Sequence, residues 1–232
     1  MTGLFFLGNG INLNMRIAIS GTACQGKSTY IQDMKTAWPS FIIPEKSYRD
    51  ILAEDHSKET NEETQWAILD FMLEDLQQYR KGDTVLFDRC PLDNIVYSMW
   101  ANGKGKISDE FISKCIPLVF ESMKLLDIIF FIPITKHAEV EIEENGTRET
   151  DEDYITEIDH IFKAMYQQWL QPDSPFFPKD DRPAMIEIFG NRQERLQMTS
   201  LYVDTDGTAV GEQGIINPTE LAALEKAFGL NK

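Results

Sequence analysis

The segment Gly21-Thr22-Ala23-Cys24-Gln25-Gly26-Lys27-Ser28 constrains this chain more than any other. It matches the pattern G-x-x-x-x-G-K-[ST] in full. It stands between an apolar run, Met15-Arg16-Ile17-Ala18-Ile19-Ser20, and a stretch of helical periodicity that begins at Ser28. The spacing has a physical basis. Two glycines let the backbone turn so that successive N–H groups point inward at an anion, and the helix that follows adds its positive end. A loop of this kind works where a strand feeds directly into a helix, which commits the chain to strand–loop–helix units and a parallel sheet. Lys27 is expected to reach the β- and γ-phosphates of a nucleotide, and the Ser28 hydroxyl to ligate Mg²⁺. Residues Gly21 to Thr29 are therefore the expected binding site for the triphosphate of ATP or a close relative. Cys24 reads as a small filler of the loop.

The rest of the chain agrees with that commitment. Short apolar runs at 41–44, 84–88, 128–132 and 185–189 follow the first strand, several of them apolar throughout, as strands covered on both faces are. Helical patterns lie between them at 28–37, 62–79, 153–170 and 193–202, with Trp66, Leu69, Leu73 and Leu76 at helical spacing in the second. The expected fold is α/β, a five-stranded parallel sheet with helices on both faces. A length of 232 residues suits one such domain, placed at 15–203 with a lid at about 134–153. An N-terminal extension, 1–14, precedes it. A tail, 204–232, follows with a helix capped by Asn217, Pro218 and Glu220, read as packing or as a homodimer contact.

Charge narrows the partners. Lys and Arg total 22 against 38 Asp and Glu, a net charge of −16, which disfavours nucleic acid and anionic membrane surfaces. No apolar run approaches the roughly 18 residues that span a bilayer, and no leader is visible. The three cysteines, Cys24, Cys90 and Cys115, are odd in number, widely spaced and without metal-ligand spacing. They read as reduced thiols of a cytoplasmic protein.

In an open parallel sheet, ligands bind beyond the carboxyl ends of the strands. After the second run comes Pro44-Glu45-Lys46-Ser47-Tyr48-Arg49, and after the third Asp88-Arg89-Cys90-Pro91-Leu92-Asp93. Asp88 is placed to stand near Mg²⁺ and its waters. Glu45 can act as a carboxylate base for an acceptor hydroxyl, and Arg89 as a bidentate cation for an acceptor phosphate.

These segments, with ENGTRETDEDY and EIFGNRQERL, resemble the P-loop kinase group that holds deoxynucleoside kinases and bacterial ribosylnicotinamide kinases. The resemblance runs from about Met15 to Tyr202. It implies a nucleoside or nucleotide kinase in which Glu45 is the base and Arg89 contacts acceptor oxygens. It also implies a mobile lid whose arginine, Arg148, meets the transferring group, and a loop at Asn191 and Arg192 beside the nucleotide base. Ala23-Cys24-Gln25 departs from the thymidylate-kinase form, which carries an acidic residue and glycine there. The expected activity is transfer of the γ-phosphate of Mg²⁺-ATP to a nucleoside or nucleoside monophosphate in nucleotide metabolism. Two alternatives stand beside it: a kinase acting on a hydroxymethylated base in DNA, and a regulator that binds and slowly hydrolyses ATP or GTP.

Overall fold

A computed structural model describes residues 14–50, 60–135 and 151–210. Strand β1 (Arg16–Ser20) lies at the centre of a parallel sheet, between β2 (Val85–Asp88) and β3 (Ile128–Phe131), and β4 (Ala184–Glu187) pairs with β3 on the outside. The register sets Ile19 against Asp88 and Ser20 against Phe131, so the strands end together along one edge. The period of two along each strand sorts side chains between two cores. Ala18, Val85, Phe87, Ile129 and Phe131 face one core. Ile17, Ile19, Leu86, Ile128 and Phe130 face the other.

Helix α1 (Lys27–Ala37) covers the second face with Tyr30, Ile31 and Met34. The first face is covered by α2 (Glu62–Gln78), α3 (Pro91–Gly103), α4 (Asp109–Ser122) and α5 (Glu152–Trp169). Each starts where the sequence supplies a cap. Asn61 accepts from Thr64 N at 2.8 Å before α2, and Ser108 accepts from Phe111 N at 3.2 Å before α4. Asp151 accepts from Asp153 N and Tyr154 N before α5. Short helix α6 (Arg192–Thr199) returns against α1.

The α/β class with a parallel sheet matches the sequence expectation, while the strand count does not. The sheet has four strands among the described residues. Residues 41–44 contribute one parallel bridge, in which Ile42 N donates to Thr84 O at 2.8 Å and accepts at its carbonyl from Leu86 N at 2.9 Å. The reason is local. Pro39 and Pro44 lack N–H groups and close the run on both sides, so Ile42 pairs alone at the edge. Two helices, α3 and α4, were absent from the sequence reading. Residues 91–96 at the start of α3 are buried all round and carry no amphipathic signal, and Pro117 interrupts the pattern of α4. The expected helix at the end of the chain lies outside the described residues.

The turn out of β1 demands glycine. Gly21 has φ +139, and a Cβ there would sit 2.6 Å from the backbone oxygen of Ile132. Gly21→Ala is therefore expected to cost about 2 kcal/mol or more, because neither the φ nor the neighbouring carbonyl can yield cheaply. Urea denaturation should show a lower midpoint at an unchanged slope.

Candidate active site

The loop between β1 and α1 is braced from several sides. Thr22, fully buried, donates from Oγ1 to the Ile155 carbonyl of α5 at 2.9 Å. From α6, Arg195 donates from one terminal nitrogen to Gln25 O at 2.7 Å and from Nε to Gly190 O at 2.9 Å. Gly26, at φ +69, delivers the chain into α1 in a left-handed conformation that favours glycine. Lys27 is buried, and its ammonium donates to Thr22 O across the loop. Burial lowers its pKa to about 7, the positive charge of Arg89 adds to that, and Asp93 and Asp88 work in the opposite direction.

At the end of β2 the chain takes a strained step, since Arg89 has φ +81 without being glycine. The turn aims the guanidinium inward, where one terminal nitrogen donates to Asp93 Oδ1 at 3.2 Å and the other to Tyr97 Oη at 3.1 Å. The same guanidinium lies 5.1 Å from the ring centroid of Tyr48 and 4.8 Å from that of Tyr97. Asp93, on the first turn of α3, is completely buried. Its carboxylate accepts from Ser20 Oγ at 2.7 Å, from Cys90 N at 3.1 Å and from Gly21 N at 3.3 Å. Burial raises its pKa, against the pull of Arg89 and Ser20. Asp88 keeps one oxygen on Arg49, at 3.0 Å, while its Oδ1 is buried with no protein partner.

A cavity of about 190 Å³ opens beside these groups. Ser28 of α1, Asp88 and Arg89 of the β2 end, and Lys46 and Arg49 of the segment after Pro44 all line it. Its far wall, from α1, α2 and β2, is mostly apolar, with Gln32 and Asp75 among its lining residues.

The sequence-predicted residues distribute unevenly around this cavity. Lys27, Ser28, Asp88 and Arg89 come together at the carboxyl edge of the sheet. Glu45 is exposed, between the lining residues Pro44 and Lys46. Thr29 is exposed on α1, while Ala23, Cys24 and Gln25 are half-buried in the loop. Asn191 caps α6 by accepting from Gln193 N and Glu194 N, so its side chain is occupied by the helix it starts. Arg192 is exposed and forms a two-pronged ion pair with Asp33 of α1, with Nε to Oδ2 at 2.9 Å. Arg148 lies outside the described residues. Asp93, Arg195, Tyr48 and Asp75 were missed by the sequence reading. Asp93 did carry a signal, an acidic residue three after Cys90 and just behind a proline, but that pattern announces a helix cap and not a partner for Arg89.

A family model described as "AAA domain" matches residues 16–172. Among curated proteins none matches the chain. Among solved structures, deoxyadenosine kinase from M. mycoides, with dCMP and a flexible dCDP bound, superposes at a TM-score of 0.57 and 16% identity, covering 80% of this chain and 96% of that one. NadR in complex with NR gives a TM-score of 0.56 at 13% identity, covering 82% of this chain and 51% of that one. Thymidylate kinase from Candida albicans gives 0.50 at 16% identity, covering 82% and 91%. The fold is thus that of the nucleoside and nucleotide kinase group.

Two measurements probe this arrangement. Asp93→Asn leaves the Arg89 charge buried beside an uncharged amide, and should lower stability by about 3 kcal/mol, read from the urea midpoint. For Lys27, anionic phosphates favour the ammonium and raise a pKa that stands at about 7 in the free protein. Nucleotide binding should then take up protons above pH 7, and affinity should fall as pH rises past 7 while levelling off below it. Calorimetric titration with ATP in metal-free buffers of different ionisation enthalpy reads that uptake directly.

Proposed function

The chain belongs to the AAA domain family, and on that premise we propose that it is an ATP-dependent phosphotransferase whose acceptor is a nucleoside or a nucleoside monophosphate. One observation carries the reading: the serine of the phosphate loop, the aspartate and arginine that end β2, and a partly apolar cavity share one space. A kinase must seat an acceptor beside the phosphates, and a partly apolar cavity that opens next to the loop serine offers room for one. The likeness of the fold to kinases of nucleosides and nucleotides supports the same choice.

The chain's own groups can be assigned to the reaction. Loop N–H groups and Lys27 hold the β- and γ-phosphates. The acceptor oxygen attacks the γ-phosphorus, the bond to the β,γ-bridging oxygen breaks, and ADP leaves. The acceptor proton passes to Glu45 at the rim of the cavity. Arg89 and Arg49 set a positive field where negative charge accumulates. Arg148 is assigned to the transferring group from the lid. Asn191 and Arg192 are assigned to the adenine side, where Arg192 releases Asp33 to stack on the base.

The residues present fit Mg²⁺. Asp88 Oδ1 is a buried acceptor without a protein partner, and the Ser28 hydroxyl lines the same cavity. Among the described residues no group of three or more His, Cys, Asp or Glu could cage a metal alone, which suits an ion shared with phosphate oxygens. When bound, the ion neutralises phosphate charge. No helix among the described residues is long and apolar enough to cross a membrane.

Transfer of label from γ-labelled ATP to a panel of nucleosides, nucleoside monophosphates and DNA tests the proposal. Label is expected on a small acceptor, with Lys27→Ala losing a hundredfold or more while its circular dichroism stays native. Glu45→Gln should lower turnover far more than ATP affinity. Label on DNA alone, or free phosphate with no labelled acceptor, would overturn the assignment.

A further inference from the structure

Asp75 lines the cavity as a carboxylate without a hydrogen-bonding partner among the described residues. It sits on α2, and the wall about it is built from Ile43, Phe71, Met72, Leu76 and Phe87. Among the described residues no donor hydrogen-bonds or ion-pairs with its carboxylate. The cations that line the same cavity, Lys46, Arg49 and Arg89, are already engaged with other groups or lie on the segment after Pro44 and at the end of β2. A half-buried carboxylate with apolar neighbours and no donor costs free energy that a leucine in its place would not. The packing of α2 therefore gives no reason for it, and the cavity it faces does.

We propose that Asp75 is the specificity-determining residue of this cavity, selecting an acceptor whose ring carries an exocyclic NH2, as amino or carboxamide, over the same ring bearing only a carbonyl or a carboxylate there. The proposal rests on the kinase reading above and names the acceptor class for it. Its chemistry is direct. The apolar wall takes the faces of a flat heterocycle, and one acceptor-only group at its edge rewards a ring that brings N–H donors. A carbonyl oxygen in that position sets two acceptors against each other. A carboxylate there sets two negative charges against each other.

The protonation state supports the same selectivity. Desolvation raises the Asp75 pKa to about 6, so the group is ionised at neutral pH and gains a proton below it. The charged and titratable groups that share its surroundings are Lys46, Tyr48 and Arg49 on the segment after Pro44, Asp88 and Arg89 at β2, and Tyr79 at the end of α2, with Glu45 and Asp83 acting on that phenol too. From α1 the lining residues are Ser28, Ile31 and Gln32, none of which titrates near this pH. Preference for the NH2-bearing ring should therefore strengthen as pH rises through 6. Below that, the protonated acid can donate to a carbonyl and the preference should shrink.

Matched pairs test this. Deoxyadenosine against deoxyinosine, deoxycytidine against deoxyuridine, and nicotinamide riboside against nicotinic acid riboside each differ at the group in question. Both calorimetric binding to the full chain and steady-state phosphorylation with ATP should be read for each. The wild type should favour the NH2 member of at least one pair by about tenfold or more, mainly through KM and Kd. Asp75→Ala should bring that ratio close to one, and Asp75→Asn should narrow it. Both variants should melt no lower than wild type, since each removes an unpaired carboxylate. A ratio near one in the wild type, or a ratio that survives in both variants, overturns the inference and leaves the kinase reading intact. Selective binding without phosphorylation of any member overturns the kinase reading alone. If no member binds or reacts, both fall.

Discussion

The buried carboxylate of Asp93 holds this site together. It receives the Ser20 hydroxyl and the Gly21 N–H from the end of β1, the Cys90 N–H from the start of α3, and the Arg89 guanidinium from the end of β2. Two strand ends and one helix start are thereby fixed to a single group that cannot move. A buried carboxylate is costly unless it is paired and hydrogen-bonded, and here its donors come from the elements that frame the phosphate loop. The left-handed backbone at Arg89 accompanies this contact, its guanidinium reaching Asp93 Oδ1 at 3.2 Å. Lys27 feels both charges: burial, with the Arg89 charge adding to it, lowers its pKa to about 7, and Asp93 works against that.

From that anchor the loop is braced outward. Thr22 reaches the first turn of α5, and Arg195 reaches across from α6 to Gln25. The helix that follows residues 136–150 and the loop assigned to the nucleotide base are thus both bonded to the phosphate loop. On the approach to α5, Ile134 N donates to Asp159 at 2.9 Å, and Lys163 donates to the Ile134 carbonyl at 3.1 Å. Rigid attachment at each of these points positions donors for anionic oxygens before a ligand arrives, which is how such sites gain rate as well as affinity.

The fold was legible to the extent that it rests on local pattern. The runs at β1, β2, β3 and β4 could be read because each is short and mainly apolar, as strands covered on both faces are. The phosphate loop could be read because glycine and lysine at fixed spacing leave few other meanings. Residues 41–44 were over-read as a strand, since hydrophobicity does not reveal that two prolines leave a single residue free to pair. Helix α3 was passed over for the opposite reason: burial on all sides erases the periodicity that marks a surface helix. In the site, Asp88 and Arg89 were found by their place at a strand end. Asp93 was visible only as a cap.

The sequence by itself determined the phosphate loop, the α/β class and the residues available at the strand ends, because each follows from neighbours within a few positions along the chain. Tertiary structure decided their partners. Arg89, at the edge of the cavity, is bonded to Asp93 and Tyr97, Arg192 pairs with Asp33 from 159 positions away, and Asp75 is left facing the cavity beside apolar side chains. Which charges are satisfied and which stay free depends on the sheet register and on the way α2, α3 and α6 pack against it. Those distances are set between elements far apart in sequence, where no local pattern can record them.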